Sequence, residues 1–162
     1  MGLRILYPGD RDTLSTLAAA AFTRQNWGAA GATSGRITAD TPDGALAGMF
    51  AEYSDNYEVD ISANHKPVGV FINDAAGSPF ENTPAVASGK NVFMRSMGAY
   101  ETDIYETRDE ADANDVAYAA GDDLYVSDFG LLTTENTGSQ IVGKVSKAPT
   151  ATDPWLGFDL LI

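Results

Sequence analysis

Apolar and polar residues along this chain follow two different rhythms. Leu14, Leu17, Ala18, Ala21 and Phe22 fall at i, i+3, i+4, i+7 and i+8, a single stripe that predicts a helix over residues 10–28. Asp10 or Asp12 can cap its start and Gly28 can end it. The small, glycine-rich stretch 28–35 reads as a linker or an arm lying against something else. Thr41-Pro42-Asp43 resembles a second helix start, continued by Leu46, Met49, Phe50 and Tyr53. Gly44 and Gly48 each cost about 1 kcal/mol inside a helix, so a loop or strand competes there.

From Tyr57 the period changes to two. Tyr57, Val59 and Ile61 alternate with Glu58 and Asp60, and Val68–Ile72 is a continuous apolar run suited to a buried strand. Further strands are expected at 92–94, 99–106, 115–118, 124–127, 131–134, 141–147 and 155–162, separated by Gly, Pro, Asn and Asp turns. In the last of these, Leu156, Phe158, Leu160 and Ile162 share one face and should point into the core. The expected fold is mainly β, a compact β-sandwich or β-barrel with an N-terminal helix and arm. Residues 1–35 are expected to form the helix and arm, and residues 36–162 the β-rich domain.

With 162 residues the chain suits one such domain and can bury a useful core. It has no cysteine, which excludes disulfides and thiolate metal sites. Its formal charge of −13 opposes phosphate backbones and anionic bilayers, so neither nucleic acid nor membrane is an expected partner. Arg4, Asp10, Arg11 and Asp12 interrupt the first apolar stretch, unlike a signal peptide. No apolar run approaches membrane-spanning length.

Candidate chemistry is sparse. Ten carboxylates between Glu101 and Asp128 face only Arg108, but Asp109-Glu-Ala-Asp-Ala-Asn-Asp115 lacks the glycine and the closing glutamate of a calcium loop. A solvated turn or a partner-facing acidic loop is the expected reading, with no metal and no cofactor. His65, the single histidine, has no Ser or Cys arrangement beside it in sequence and reads as a turn residue. Neither a nucleophile elbow nor a phosphate loop occurs, and no enzymatic activity is expected. Trp27, Trp155, Tyr100, Tyr105 and Tyr125 could form a sugar platform, although core packing accounts for most of them.

Ala120-Gly-Asp-Asp-Leu-Tyr125, Gly130-Leu-Leu-Thr133, Val142-Gly-Lys-Val145 with Ala148-Pro149, and Leu156-Gly-Phe-Asp-Leu-Leu161 together resemble the auxiliary capsid proteins of tailed bacteriophages, the decoration or cement proteins. The resemblance covers residues 98–162 and leaves out the helix and arm. It implies a structural protein on the outer surface of an icosahedral head, made in the host cytoplasm and bound to the major capsid protein at capsomer junctions. It also implies a homo-trimer, and transfers no catalytic residue. Partner contacts are expected at Leu3, Ile5, Tyr7, Phe22, Trp27 and Trp155. The alternative is a carbohydrate-binding or adhesion module of a head fibre or tail spike.

Overall fold

The computed structural model describes residues 3–8, 12–18, 44–55, 58–71, 75–76, 91–95, 98–107 and 114–162. The elements over these residues are strands: β1 (Leu3–Pro8), β2 (Asp12–Ala18), β3 (Gly44–Ala45), β4 (Phe50–Asp55), β5 (Glu58–Ile61), β6 (Gly69–Phe71), β7 (Ala75–Ala76), β8 (Asn91–Arg95), β9 (Gly98–Thr102), β10 (Asp123–Val126), β11 (Leu132–Thr133), β12 (Gly143–Lys147) and β13 (Leu156–Leu160). Six form a sheet in the order β1-β9-β13-β12-β10-β11, paired antiparallel throughout. Five more curl into a small barrel, β2-β5-β4-β6-β8, closed by a short parallel ladder between β2 and β5. The pair β3-β7 stands apart. The mainly β expectation is met, with sandwich and barrel features in one chain.

Alternation along the strands explains where the core sits. Leu156, Phe158 and Leu160 of β13, Val145 of β12, Leu124 and Val126 of β10, and Tyr100 of β9 are buried on one face of the sheet. They form a single cluster with Phe50 of β4 and Val70 of β6, so the sheet's inner face packs on the barrel. Phe158 and Tyr100 are register partners with ring centroids 5.7 Å apart. Ile162 packs against the cluster, as its place on the same face requires.

Backbone joins the two sheets as well as side chains. The amide of Phe50 donates to the Gly130 carbonyl at 2.8 Å, and the Phe50 carbonyl accepts from Ser62 at 2.8 Å. Gly130 adopts φ +72, and a Cβ there would lie 2.5 Å from Ile61 Cγ2. Only glycine fits a turn pressed this close to the barrel. Its turn is held by Ser127, whose hydroxyl accepts from Phe129 and Leu131 and whose carbonyl accepts from Gly130.

The free side of β11 is capped rather than left open. Tyr105 bridges Leu132 in parallel, and Glu106 N–H donates to the Leu132 carbonyl at 2.9 Å. Tyr118 stacks edge-on against Tyr105, and its hydroxyl donates between the carbonyls of Glu106 (2.5 Å) and Leu132 (3.0 Å). Covering an edge in this way removes a template for unwanted strand pairing. The strand expected at 115–118 is instead an extended connection, tied back through Val116 N–H to the Thr107 carbonyl.

Two helical expectations are corrected. Residues 12–18 form strand β2, paired with β8 from Asp12↔Arg95 to Thr16↔Asn91, instead of the first half of a helix. Local helix preference is weak, and Thr13 and Thr16 suit a ladder that the distant β8 supplies. The remainder of that helix, Gly28–Gly35 and the boundary at residue 35 lie outside the described residues. The second helical reading also fails, because β4 begins at Phe50 and Gly48 turns the chain before it with φ +105.

Truncating Phe158 to alanine should cost about 3–5 kcal/mol, and Gly130→Ala about 2–5 kcal/mol from left-handed strain plus overpacking. Urea melts measure both. A Gly130→Ala loss below about 1 kcal/mol would show that the seam tolerates a side chain. Alkaline pH offers a separate test. Burial first, then the Glu106, Tyr105 and Glu135 charges, push the Tyr118 phenol well above its usual 10.0. Its contribution to stability is therefore intact below pH 10 and lost as pH rises toward the folded-state value. Tyr118→Phe should flatten the alkaline limb of the stability curve while costing about 1 kcal/mol at neutral pH.

Candidate functional site

The outer face of the six-stranded sheet carries the most organised surface chemistry among the described residues. Pleating that sends Tyr100, Val145 and Phe158 inward turns Glu101, Lys144, Asp159 and Asp123 outward. Lys144 stands opposite Asp159 on one side and Asp123 on the other, and its Nζ lies 2.5 Å from Asp123 Oδ1. Lys147 reaches Glu101 Oε1 at 2.6 Å and Asp153 Oδ2 at 2.9 Å. Hydrogen bonds to Asp153 and then to Glu101 hold its ammonium charged above its usual range.

Gly157 makes the second clamp possible. It lies between Lys147 and Glu101 in the ladder, and a Cβ there would stand 2.8 Å from Lys147 Cβ. The missing side chain lets the lysine stem cross β13 and reach β9. Two ammonium groups are thus spread among four carboxylates on one face. Nothing in this arrangement activates a nucleophile; it presents a patterned, mildly acidic surface.

A second polar cluster lies at the seam between the sheets. The buried Glu52 carboxylate accepts from Ser62 Oγ (3.1 Å), Asn64 N–H (3.1 Å) and Asn64 Nδ2 (2.5 Å). These bonds fix the loop that carries His65, which is a turn residue with φ +59. Its Nε2 meets Asp128 Oδ1 of the Gly130 turn. The Asp128 side chain is 60% exposed, so the contact is a surface tie of modest energy. Among the described residues no group of three His, Cys, Asp or Glu side chains could hold a metal ion.

The carboxylates between Glu101 and Asp128 do not form one site. Asp103 and Glu106 are buried, Glu101 and Asp123 bind lysines, and Asp128 meets His65. Asp122 caps its own turn by accepting from Ala119 N–H at 2.8 Å. Asp109, Glu110, Asp112 and Arg108 lie outside the described residues. The sugar platform loses two members, because Tyr100 and Tyr105 are buried and the Tyr105 hydroxyl donates to the Pro154 carbonyl.

Of the expected partner contacts, Leu3 is half-buried against the core cluster, and Ile5 and Tyr7 stand opposite Tyr100 and Ala99 in the β1-β9 ladder. Trp155 is half-buried just before β13. Phe22 and Trp27 lie outside the described residues. The structure gathers the β1 positions but leaves Trp155 apart from their ladder. Sequence reading did not single out Glu52, Lys144 or Lys147, since their partners lie 6 to 46 positions away and are matched to them only by the fold.

If the lysine clamps serve the surface rather than the fold, Lys144→Ala and Lys147→Ala should each cost less than about 1 kcal/mol, with the difference shrinking at high salt. Melts at two ionic strengths measure this. A loss above about 2 kcal/mol for either would make the clamp a structural brace. Comparisons of this chain with protein-family models, curated proteins and solved structures find no match.

Proposed function

We propose that this chain is a non-enzymatic structural protein that binds the outer surface of a bacteriophage capsid and stabilises its capsomer junctions, with the major capsid protein as partner and a homo-trimer as the working unit. One observation carries the reading. The four segments that resemble decoration proteins, scattered over residues 120–161, lie on β10, β11, β12 and β13, which are neighbours in one sheet. The likeness therefore describes a single folded surface. Its glycine-aspartate turn docks on β12, where Gly121 N–H donates to the Val145 carbonyl at 2.8 Å and Val145 N–H to the Asp122 carbonyl at 2.9 Å.

The physics of such a role suits the surface. A protein that binds only the assembled lattice stabilises it by mass action, without chemistry, by about 2.7 kcal/mol per site at a free concentration of a hundred times Kd. The net charge of −13 keeps free copies soluble and away from the packaged genome. The outer face, with its lysines already paired, offers carboxylates to a basic partner patch.

Adding the purified chain to undecorated heads should place density at capsomer junctions in images of the particles and raise the temperature at which the heads release DNA. Light scattering should report a trimer at micromolar concentration. Absence of binding at tens of micromolar, or decoration with no preference for junctions, would overturn the reading.

A further inference from the structure

Strand β1 belongs to the six-stranded sheet, whereas β2, which follows it, belongs to the barrel. Residues 9–11 alone separate them, a connection that spans at most about 14 Å. Among the described residues β1 pairs with β9 and with no other strand, through Leu3↔Thr102, Arg4↔Glu101, Ile5↔Tyr100, Tyr7↔Ala99 and Pro8↔Gly98. Without it, the edge of β9 would be bare, because β13 occupies only the other side.

The charges are complementary as well as the register. β1 carries one cation, Arg4, and no acid, and it places that residue opposite Glu101. In a chain of net charge −13 this is an apolar, cationic strand seated on an acidic body. The occupant that fits the β9 edge is thus visible in the structure itself. It would fit equally well when supplied by another copy.

We propose that β1 is an exchange strand: in the assembled protein the β1 of one copy lies on the β9 edge of the next. The inference rests on the self-associating role proposed above and supplies its contact. Exchange keeps every residue pair of the ladder, and only three residues join the two strands, a short connection of the kind that invites strand swapping. Each copy gives one strand and receives one, so in a trimer the contact is head-to-tail and three copies close the ring. Opposite charge at Arg4 and Glu101 favours approach of two bodies that otherwise repel.

The chain has no cysteine, so introduced thiols report without background. Tyr7 and Ala99 are directly opposed, within reach of a disulfide. Full-length chains carrying Tyr7→Cys and chains carrying Ala99→Cys, refolded together and oxidised, should give a mixed covalent dimer in excess of either like-with-like product. A single chain carrying both changes should give covalent trimers on a non-reducing gel. A Gly/Ser insertion between Gly9 and Asp10 should lengthen the connection between β1 and β2 and raise the monomer fraction in light scattering, with the thermal melt unchanged. The exchange is overturned if the double variant closes wholly within single chains or if the insertion leaves the oligomer unchanged. If light scattering of those samples still shows a trimer, the assembly reading survives; a monomer that also fails to bind heads would remove both.

Discussion

The open sheet and the closed one share a single apolar core, and their backbones also meet, at Phe50 and Gly130. The Phe50 side chain enters the common cluster while its amide and carbonyl bond to Gly130 and Ser62. One residue therefore belongs to the barrel by sequence, to the core by its ring and to the seam by its backbone. Burial of Phe50, Val70, Tyr100 and Phe158 supplies the drive, and the hydrogen bonds satisfy backbone groups at the seam. Glu52 reinforces the same place by tying the loop that carries Ser62 and Asn64. The face presented by β12 and β13 points away from that junction, so its geometry is inherited from the seam.

Much of the sheet is legible from alternation alone. Leu156, Phe158 and Leu160 alternate with Gly157 and Asp159, and the strand they announce is β13 with its apolar side inward. β10 and β12 follow the same rule. The rule fails at β2, where Leu14, Leu17 and Ala18 match a helical period as well as a strand. The deciding partners, Arg95 to Asn91, lie about 80 residues further on, and no local signal contains them. The Lys147–Glu101 clamp was hidden for a related reason. It needs the register of three strands and the absence of a side chain at Gly157, a product of folding rather than of spacing.

Charge is handled in two ways in this protein. On the outer face Lys147 is shared by Glu101 and Asp153 and Lys144 pairs with Asp123, and these exposed pairs contribute pattern more than stability. In the interior, the Glu52 carboxylate is held by the neutral donors of Ser62 and Asn64. Among the described residues the carboxylates are dispersed over the core, the turns, the face and the seam. Concentrated in one loop, they would repel each other and resist burial.

His65 has a consequence beyond the tie it makes. It is the single imidazole in the chain, and it stands where a barrel loop meets the turn of the opposite sheet. A proton or nitrogen spectrum of the intact protein therefore contains one set of histidine ring resonances, already assigned by composition. That signal watches the junction of the two sheets directly.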